Sequence, residues 1–433
     1  MNKSIKNDIE HTPLPRGWVW VKLGQIIKVQ GGHAFKRKDY QNEGIPLLRI
    51  SNIKNNSVTF DEETVYVDKK FKELYSDFLL RKGDIVIALS GATTGKYGIY
   101  KIEGEAFLNQ RVGRLKFIKQ NLINNLYVFY YLEIIRQSIL KKAYGAAQPN
   151  ISTSELEEFS LPLPPFPEQH RMVAKIEELF SKRDAGVEAL KKAKEQIKRY
   201  RQAVLKYAFE GKLTEEWRKN NFSQESASEL LEKIKAERKK KLGKKYKELP
   251  PVDTSELPEL PEGWAWVRLD KCSELITKGE SPKWQGFNYV EDGIPFIRSE
   301  NVLWGKIEIS NIVKIPIDFH NKLKRSQIKP YDVLINLVGA SIGRCGVVQS
   351  VIGSANINQA VALIRTNNLL APYYLMYLLL SPQFQQLIHS NKVETARPNI
   401  SLEDLKKLIL PLPPLPEQHK IVEEIERRFS IAD

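Results

Sequence analysis

The longest hydrophobic pattern in the chain is a seam. Val173, Ile176, Phe180, Val187, Leu190, Ile197, Val204 and Ala208 follow one another largely at three- and four-residue spacing, with Arg183, Lys194 and Arg201 filling the positions between. This spacing places the apolar side chains on one face of a helix and predicts a coiled-coil seam with polar interruptions. A helix from about residue 168 to 210 is roughly 60 Å long at 1.5 Å per residue. Such a rod needs a second helix against it. The stretch that opens it, residues 161–170 (LPLPPFPEQH), is too rich in proline for a helix interior or a central strand. Pro167 suits a first helical position and Glu168 complements the positive helix end.

The second helix is written in the same chain. Residues 410–419 read LPLPPLPEQH, an offset of 410 − 161 = 249, and Val422, Ile425 and Phe429 repeat Val173, Ile176 and Phe180 at that offset. An antiparallel coiled coil between the two helices is therefore expected. The second helix is expected to be short, because the copy stops at Asp433, the counterpart of Asp184.

Ahead of each helix the pattern changes to period two. Residues 14–23 (LPRGWVWVKL) and 260–269 (LPEGWAWVRL) alternate as a strand does after a glycine-containing turn. Further echoes follow in order: 44–53 with 293–302, 84–92 with 332–340, Asn109-Gln110 with Asn358-Gln359, and Pro149-Asn150-Ile151-Ser152 with Pro398-Asn399-Ile400-Ser401. Ser152 with Glu155, and Ser401 with Asp404, have capping-box spacing. Residues 126–143 and 373–388 read as amphipathic helices packed on a sheet. The fold class is α+β, a tandem duplication of strand-rich units, each followed by a long helix. The expected divisions are a first domain at 14–160, a spacer helix at 161–213, a basic linker at 214–259, a second domain at 260–409 and the start of the second helix at 410–433. Within the linker, 226–246 reads as a basic surface helix followed by a proline-rich stretch.

Composition narrows the function. In 433 residues, 67 Lys+Arg against 52 Asp+Glu leave a net charge of +15, which points to a polyanion, most commonly nucleic acid. The two cysteines, Cys272 and Cys345, have no cysteine counterparts in the first half, so no structural disulfide is expected and a reducing cytoplasm fits. The N-terminus lacks the apolar core of a signal peptide, and the most apolar run, 369–380, is too short for a membrane span.

Catalytic motifs fail on their chemistry. Residues 90–96 (SGATTGK) resemble a phosphate-binding loop, but Ser90 stands in place of the first glycine and Tyr97 in place of the magnesium-holding Ser/Thr. Pro164-Pro165-Phe166 resembles the Asn/Asp-Pro-Pro-aromatic motif of adenine methyltransferases, yet the residue that must accept hydrogen bonds from the target amine is Leu163, and Leu412 in the copy. The histidines His11, His33, His170, His320, His389 and His419 show no metal-ligand spacing, and His170 and His419 share a repeat position at a helix start where capping or a helix–helix contact is expected.

The basic and aromatic loops stand out instead. Residues 31–40 (GGHAFKRKDY) correspond to 278–285 (KGESPKWQ): both follow a strand, both carry glycine near the start, and their side chains differ. One scaffold with two loop chemistries suits a reader of two different half-sites. Lys36, Arg37, Lys38, Lys283 and Arg344 are candidates to position a DNA backbone, and Asn109, Gln110, Asn358 and Gln359 to lie near bases or hold loops. Tyr40, Arg49, Ser51, Asn52, Lys96, Arg111, Lys278, Trp284, Gln285, Arg298, Ser299 and Asn301 complete the candidate DNA-facing set.

The duplicated Leu-Pro-x-Gly-Trp openings, the Pro-Asn-Ile-Ser and Leu-Pro-Leu-Pro-Pro-x-Pro-Glu-Gln-His closings, and the stretch Glu210-Gly211-Lys212-Leu213-Thr214 resemble the specificity subunit of type I restriction–modification enzymes over nearly the whole chain. That resemblance implies two target-recognition domains, each reading one half of a split double-stranded DNA sequence, held apart by paired helices. It implies docking of two modification subunits that use S-adenosylmethionine on adenine, and of restriction subunits that use ATP and Mg. It implies no cofactor or catalytic residue in this chain. A self-contained methyltransferase or nuclease, and an interaction protein that never touches nucleic acid, are the alternatives.

Overall fold

The computed structural model describes residues 13–54, 56–119, 121–144, 149–221, 226–243, 252–390 and 399–432. The chain divides into two compact units, Met1–Glu188 and Ala189–Asp433.

The first unit is tied shut at its ends. The strand Val19–Lys22 pairs antiparallel with Ser160–Leu163, in register from Val19 opposite Leu163 to Lys22 opposite Ser160. Between them lie a six-stranded and a five-stranded sheet. The strand Ile85–Ala88 shows why both faces of the larger sheet are apolar. Ile85 and Ile87 pack on helix α1 (Asn125–Ala143), whereas Val86 and Ala88 face a second core with Leu48, Leu80, Leu108 and Val112. A strand buried on both sides reads as a continuous apolar run. Helix α1 begins where Asn124 accepts hydrogen bonds from the amides of Leu126 and Tyr127.

Helix α2 (Phe166–Phe209) runs for 44 residues, about 66 Å at 1.5 Å per residue. Its opening Glu-Gln-His motif is a fastener. Glu168 accepts from the Trp18 indole at 3.2 Å, and the buried Gln169 amide donates to the carbonyls of Leu122 (3.1 Å) and Pro164 (3.0 Å) while accepting from the Asn124 amide at 2.8 Å. His170 Nδ1 lies 3.1 Å from Asn124 Nδ2, so this histidine contacts the residue that caps α1. Val173 is the first seam residue and is buried in the first core, while Phe180 meets Tyr130 at 5.8 Å.

The second unit repeats the plan. Ala265–Arg268 pairs with Ile409–Leu412, and the sheets have four and three strands. Glu417 and Gln418 repeat the fastener: the Trp264 indole donates to Glu417 at 2.9 Å, and Gln418 bridges Leu369, Pro413 and Ala371. Helix α3 (Ala227–Leu242) starts at the capping box of Ser226 and Glu229; the expected continuation to Tyr246 lies outside the described residues. The single helix expected over 373–388 is instead two, α4 (Pro372–Leu380) and α5 (Pro382–Ser390). Pro382 forces the break, because a residue before proline is pushed out of the helical region, and Ser381 sits at φ −66°, ψ 150°.

Helix α6 (Leu415–Ala432) buries Ile421 and Ile425 in a core shared with Val204, Leu205, Ala208 and Phe209 of α2 and with Tyr374 of α4. Val422 and Phe429 pack on its margin, and the Arg201 guanidinium lies 5.1 Å from the Phe429 ring. Among the described residues the expected helix pairing is confined to this end. Val187, Leu190 and Ile197 are exposed, and so is Phe180 despite its contact with Tyr130. Ile176 is half-buried. Neither Cys272 nor Cys345 is in a disulfide; both are buried, and burial pushes the Cys345 thiol far up.

Candidate nucleic-acid interface

In the first unit, glycine brings two turns into backbone contact. A Cβ on Gly32 would lie 2.3 Å from the carbonyl oxygens of Leu108 and Asn109, so only glycine lets the chains approach. His33 then donates its amide to Leu108 O (2.9 Å), and Gln110 donates to His33 O (3.0 Å). The loop is pinned from below: the His33 ring stacks on Tyr75 at 3.9 Å and Phe35 is buried against Phe71 and Phe107. Above this anchor, Lys36, Arg37 and Lys38 are exposed on one tight turn closed by the Lys36 amide donating to Asp39. Tyr40 is half-buried and belongs to the anchor.

The neighbouring turns join by backbone. Leu89 N donates to Arg111 O, Gly91 N donates to Pro149 O, and a Cβ on Gly91 would meet Ile50 at 3.1 Å. Residues 32–38, 49–52, 90–96 and 109–111 thus form one edge, from which Arg49, Ser51, Lys96, Gln110 and Arg111 project exposed.

One asparagine pair has a different place from the one its sequence context suggested. Asn52 is buried, with Oδ1 accepting from the Arg49 amide (2.9 Å) and Nδ2 donating to Thr59 O (3.2 Å); Asn301 does the same with Arg298 (2.9 Å) and Glu308 (3.1 Å). These amides are consumed in holding their turns, which corrects their assignment as DNA-facing groups. Asn109 and Asn358 spend their side-chain oxygens on the amides of Arg111 and Ala360, the loop-holding alternative.

The second unit presents the same edge with other side chains. Gly279 crosses Ile357 so closely that a Cβ would be 1.7 Å from its carbonyl oxygen. Lys278 and Lys283 are exposed, and Trp284 is 77% exposed. Gln285 is not free to read a base: its amide donates to Glu280 (2.7 Å) and accepts from Lys322 (2.7 Å), fixing the loop that displays Trp284. Arg298 is paired with Glu300 and lies 5.8 Å from the Tyr289 ring. Ser299, Arg344 and Gln359 are half-buried.

Charged groups that the sequence did not flag hold the sheets beneath these edges. Arg114 donates to Leu79 O, Asp77 O, Gln30 and Asp84, and Arg365 forms a two-pronged pair with the buried Asp332 at 2.8 and 2.7 Å. An arginine within a largely apolar strand was the available signal. Among the described residues no group of three or more His, Cys, Asp or Glu side chains is placed to hold a metal, and no helix is long and apolar enough to cross a membrane.

Two copies of one scaffold, each displaying a differently furnished loop edge, define a duplicated recognition module. The family described as "Type I restriction modification DNA specificity domain" matches residues 15–199 and 261–430, and the chain belongs to that family. It is 29% identical over 420 residues to the type I restriction enzyme EcoBI specificity subunit of Escherichia coli, covering 96% of this chain and 80% of that one. It is 27% identical over 438 residues to the EcoKI specificity subunit of Escherichia coli strain K12, covering 97% and 84%. The fold is similar to the crystal structure of the HsdS subunit from Thermoanaerobacter tengcongensis, with a TM-score of 0.55, 18% identity, and 98% and 91% of the two chains covered.

Proposed function

We propose that this chain is the non-catalytic DNA-sequence reader and assembly scaffold of a type I restriction–modification complex. Each unit reads one half of a split, asymmetric target, with Lys36, Arg37, Lys38, Lys283 and Arg344 drawing in the phosphate backbone. Gln110, Arg111 and Gln359 stand nearest the bases. The observation that carries this reading is the repeated edge: the same glycine-closed turns at 31–38 and 278–285 bear different side chains. A common docking frame with divergent loop chemistry fits two unlike half-sites.

The exposed seam residues Phe180, Val187, Leu190 and Ile197 of α2 are the surface for two modification subunits, which supply S-adenosylmethionine chemistry on adenine. Restriction subunits with ATP and Mg join through them. The assembly works in the cytoplasm, where its DNA is.

The test is co-purification with the host modification subunit followed by methylation mapping of genomic DNA. A split adenine-methylated motif that appears only with this chain present is the expected result. Methylation or cleavage by the chain alone would overturn the non-catalytic reading.

A further inference from the structure

The first unit has a cavity of about 380 Å³ that shares Lys96 with the reading edge but otherwise lies outside it. It is lined by Ile53, Lys54, Asn56, Lys96, Tyr97 and Arg136. Three cations from three elements meet there. Lys54 comes from a short strand, Lys96 ends the glycine turn beside Ile50, and Arg136 stands on α1.

Their neutralisation is incomplete. Lys54 lies 3.0 Å from Asp61, and Arg136 lies 3.5 Å from Glu133, whose other carboxylate oxygen accepts from the Tyr97 hydroxyl at 2.6 Å. Lys96 has no carboxylate within ion-pair distance among the described residues. Arg136 Nε is buried without a hydrogen-bond acceptor. Arg344 Nε in the second unit is buried in the same way, so it is the set of cations and not this atom that distinguishes the cavity: a guanidinium flanked by two lysines suits a phosphate oxygen.

The second unit lacks the set. Lys54 corresponds to Leu303, and the helix that carries Arg136 in the first unit carries Gln383 and Gln385 in the second. Gln385 closes the space, donating to Gly343 O at 3.0 Å and to Leu379 O at 2.7 Å. Of the three counterpart positions, that of Lys96 alone keeps a cation, as Arg344.

We propose that this cavity is a phosphate socket peculiar to the first unit, in which Lys54, Lys96 and Arg136 hold one backbone phosphate of the bound DNA. The inference rests on the DNA-reading function above and adds to it: the two half-sites are gripped unequally, with a built anion site beside the first.

The experiment uses the full chain assembled with its modification subunits. Binding to a duplex that carries the recognition sequence, and to one that does not, is measured against salt concentration for the wild type, for the neutral pair Lys54→Gln/Arg136→Gln, and for the charge-keeping pair Lys54→Arg/Arg136→Lys. Each neutralised phosphate contributes about 0.9 to the slope of log K against log salt. The neutral pair is expected to lower the slope by about one, to weaken both duplexes alike, and to leave the methylated motif unchanged. The charge-keeping pair is expected to retain the wild-type slope.

An unchanged slope in the neutral pair, with wild-type melting, overturns the socket and leaves the DNA-reading intact. Salt-independent binding by the wild type overturns the reading and the socket with it. Titration of the DNA-free complex with inorganic phosphate separates the sources: phosphate binding that the neutral pair abolishes, with no change in the DNA slope, assigns the cavity to a free anion and refutes the DNA-backbone assignment.

Discussion

Glu417 is the group on which the second unit's chain ends converge. Its side chain is 2% exposed and accepts from Trp264 Nε1 at 2.9 Å, from Thr214 Oγ1 at 2.7 Å and from Arg218 Nε at 3.0 Å. Its counterpart Glu168 accepts from the Trp18 indole at 3.2 Å, in a part-buried setting. Glu417→Ala leaves the Arg218 guanidinium, 17% exposed, with Gly211 O as its remaining strong acceptor at 2.6 Å. Removing one partner of a buried ion pair costs about 3–5 kcal/mol. Residual exposure of Arg218 and its surviving hydrogen bond place this case near the lower end, about 3 kcal/mol. Glu168→Ala forfeits one part-buried hydrogen bond, about 1 kcal/mol. In a unit of this size 1 kcal/mol moves Tm by about 2–4 °C, so the shifts should be about 6–12 °C and about 2–4 °C. Thermal unfolding of the full chain, read by hydrogen exchange in peptides covering residues 211–218 and 264–268 for the second unit and 18–22 and 160–163 for the first, resolves each unit's transition. Equal shifts for the two variants, or a Glu417→Ala shift no larger than 2 °C, would refute the argument. A double-mutant cycle with Arg218→Ala should return a coupling above 1 kcal/mol, as expected for groups in one network.

Three other outcomes follow from the same geometry. Gly279→Ala drives a Cβ to 1.7 Å from Ile357 O, so the loop bearing Trp284 must move; DNA affinity should fall at least tenfold with only a modest loss of global stability, measured by equilibrium binding and urea unfolding. Leu190→Asp alters a side chain that is 73% exposed, so stability should stay within about 0.5 kcal/mol while capture of the modification subunit in a pull-down is lost. The Asp404 carboxyl is held below its usual range, first by the Ser401 hydroxyl and then by the Ser401 amide. A depressed folded-state pKa stabilises above the unfolded value and is lost as pH falls through the folded one, so Asp404→Asn should lower Tm at pH 7 and lose that difference below about pH 4.

The architecture was legible because its strongest signals are local and repeated. The proline tracts, the Trp-x-Trp strands and the seam from Val173 mark elements that appear where periodicity puts them, and the capping boxes at Ser152 and Ser401 form as spaced. Pro382 also announces the break between α4 and α5, but the apolar content on both sides masks it. The interface was half legible. Exposed cations such as Arg37 follow from composition, whereas the fate of an amide depends on a partner the sequence does not display. Asn52 and Gln285 have the side chain of a base reader and are spent on Thr59 and on Glu280 with Lys322. The cavity at Arg136 was invisible for the same reason, since its cations come from positions 54, 96 and 136, brought together only by the fold.

The strand pairs Val19–Lys22 with Ser160–Leu163, and Ala265–Arg268 with Ile409–Leu412, have a consequence for heredity rather than stability. Each two-stranded clasp brings the ends of the segment between its strands together, so that residues 23–159 and 269–408 are cassettes with adjacent ends. A recombination event whose crossovers fall in the two strands of one clasp would replace that unit's whole loop edge and leave the clasp and helix α2 untouched. New sequence preferences are then acquired by exchange of intact blocks, with no need for a series of point changes through non-reading intermediates.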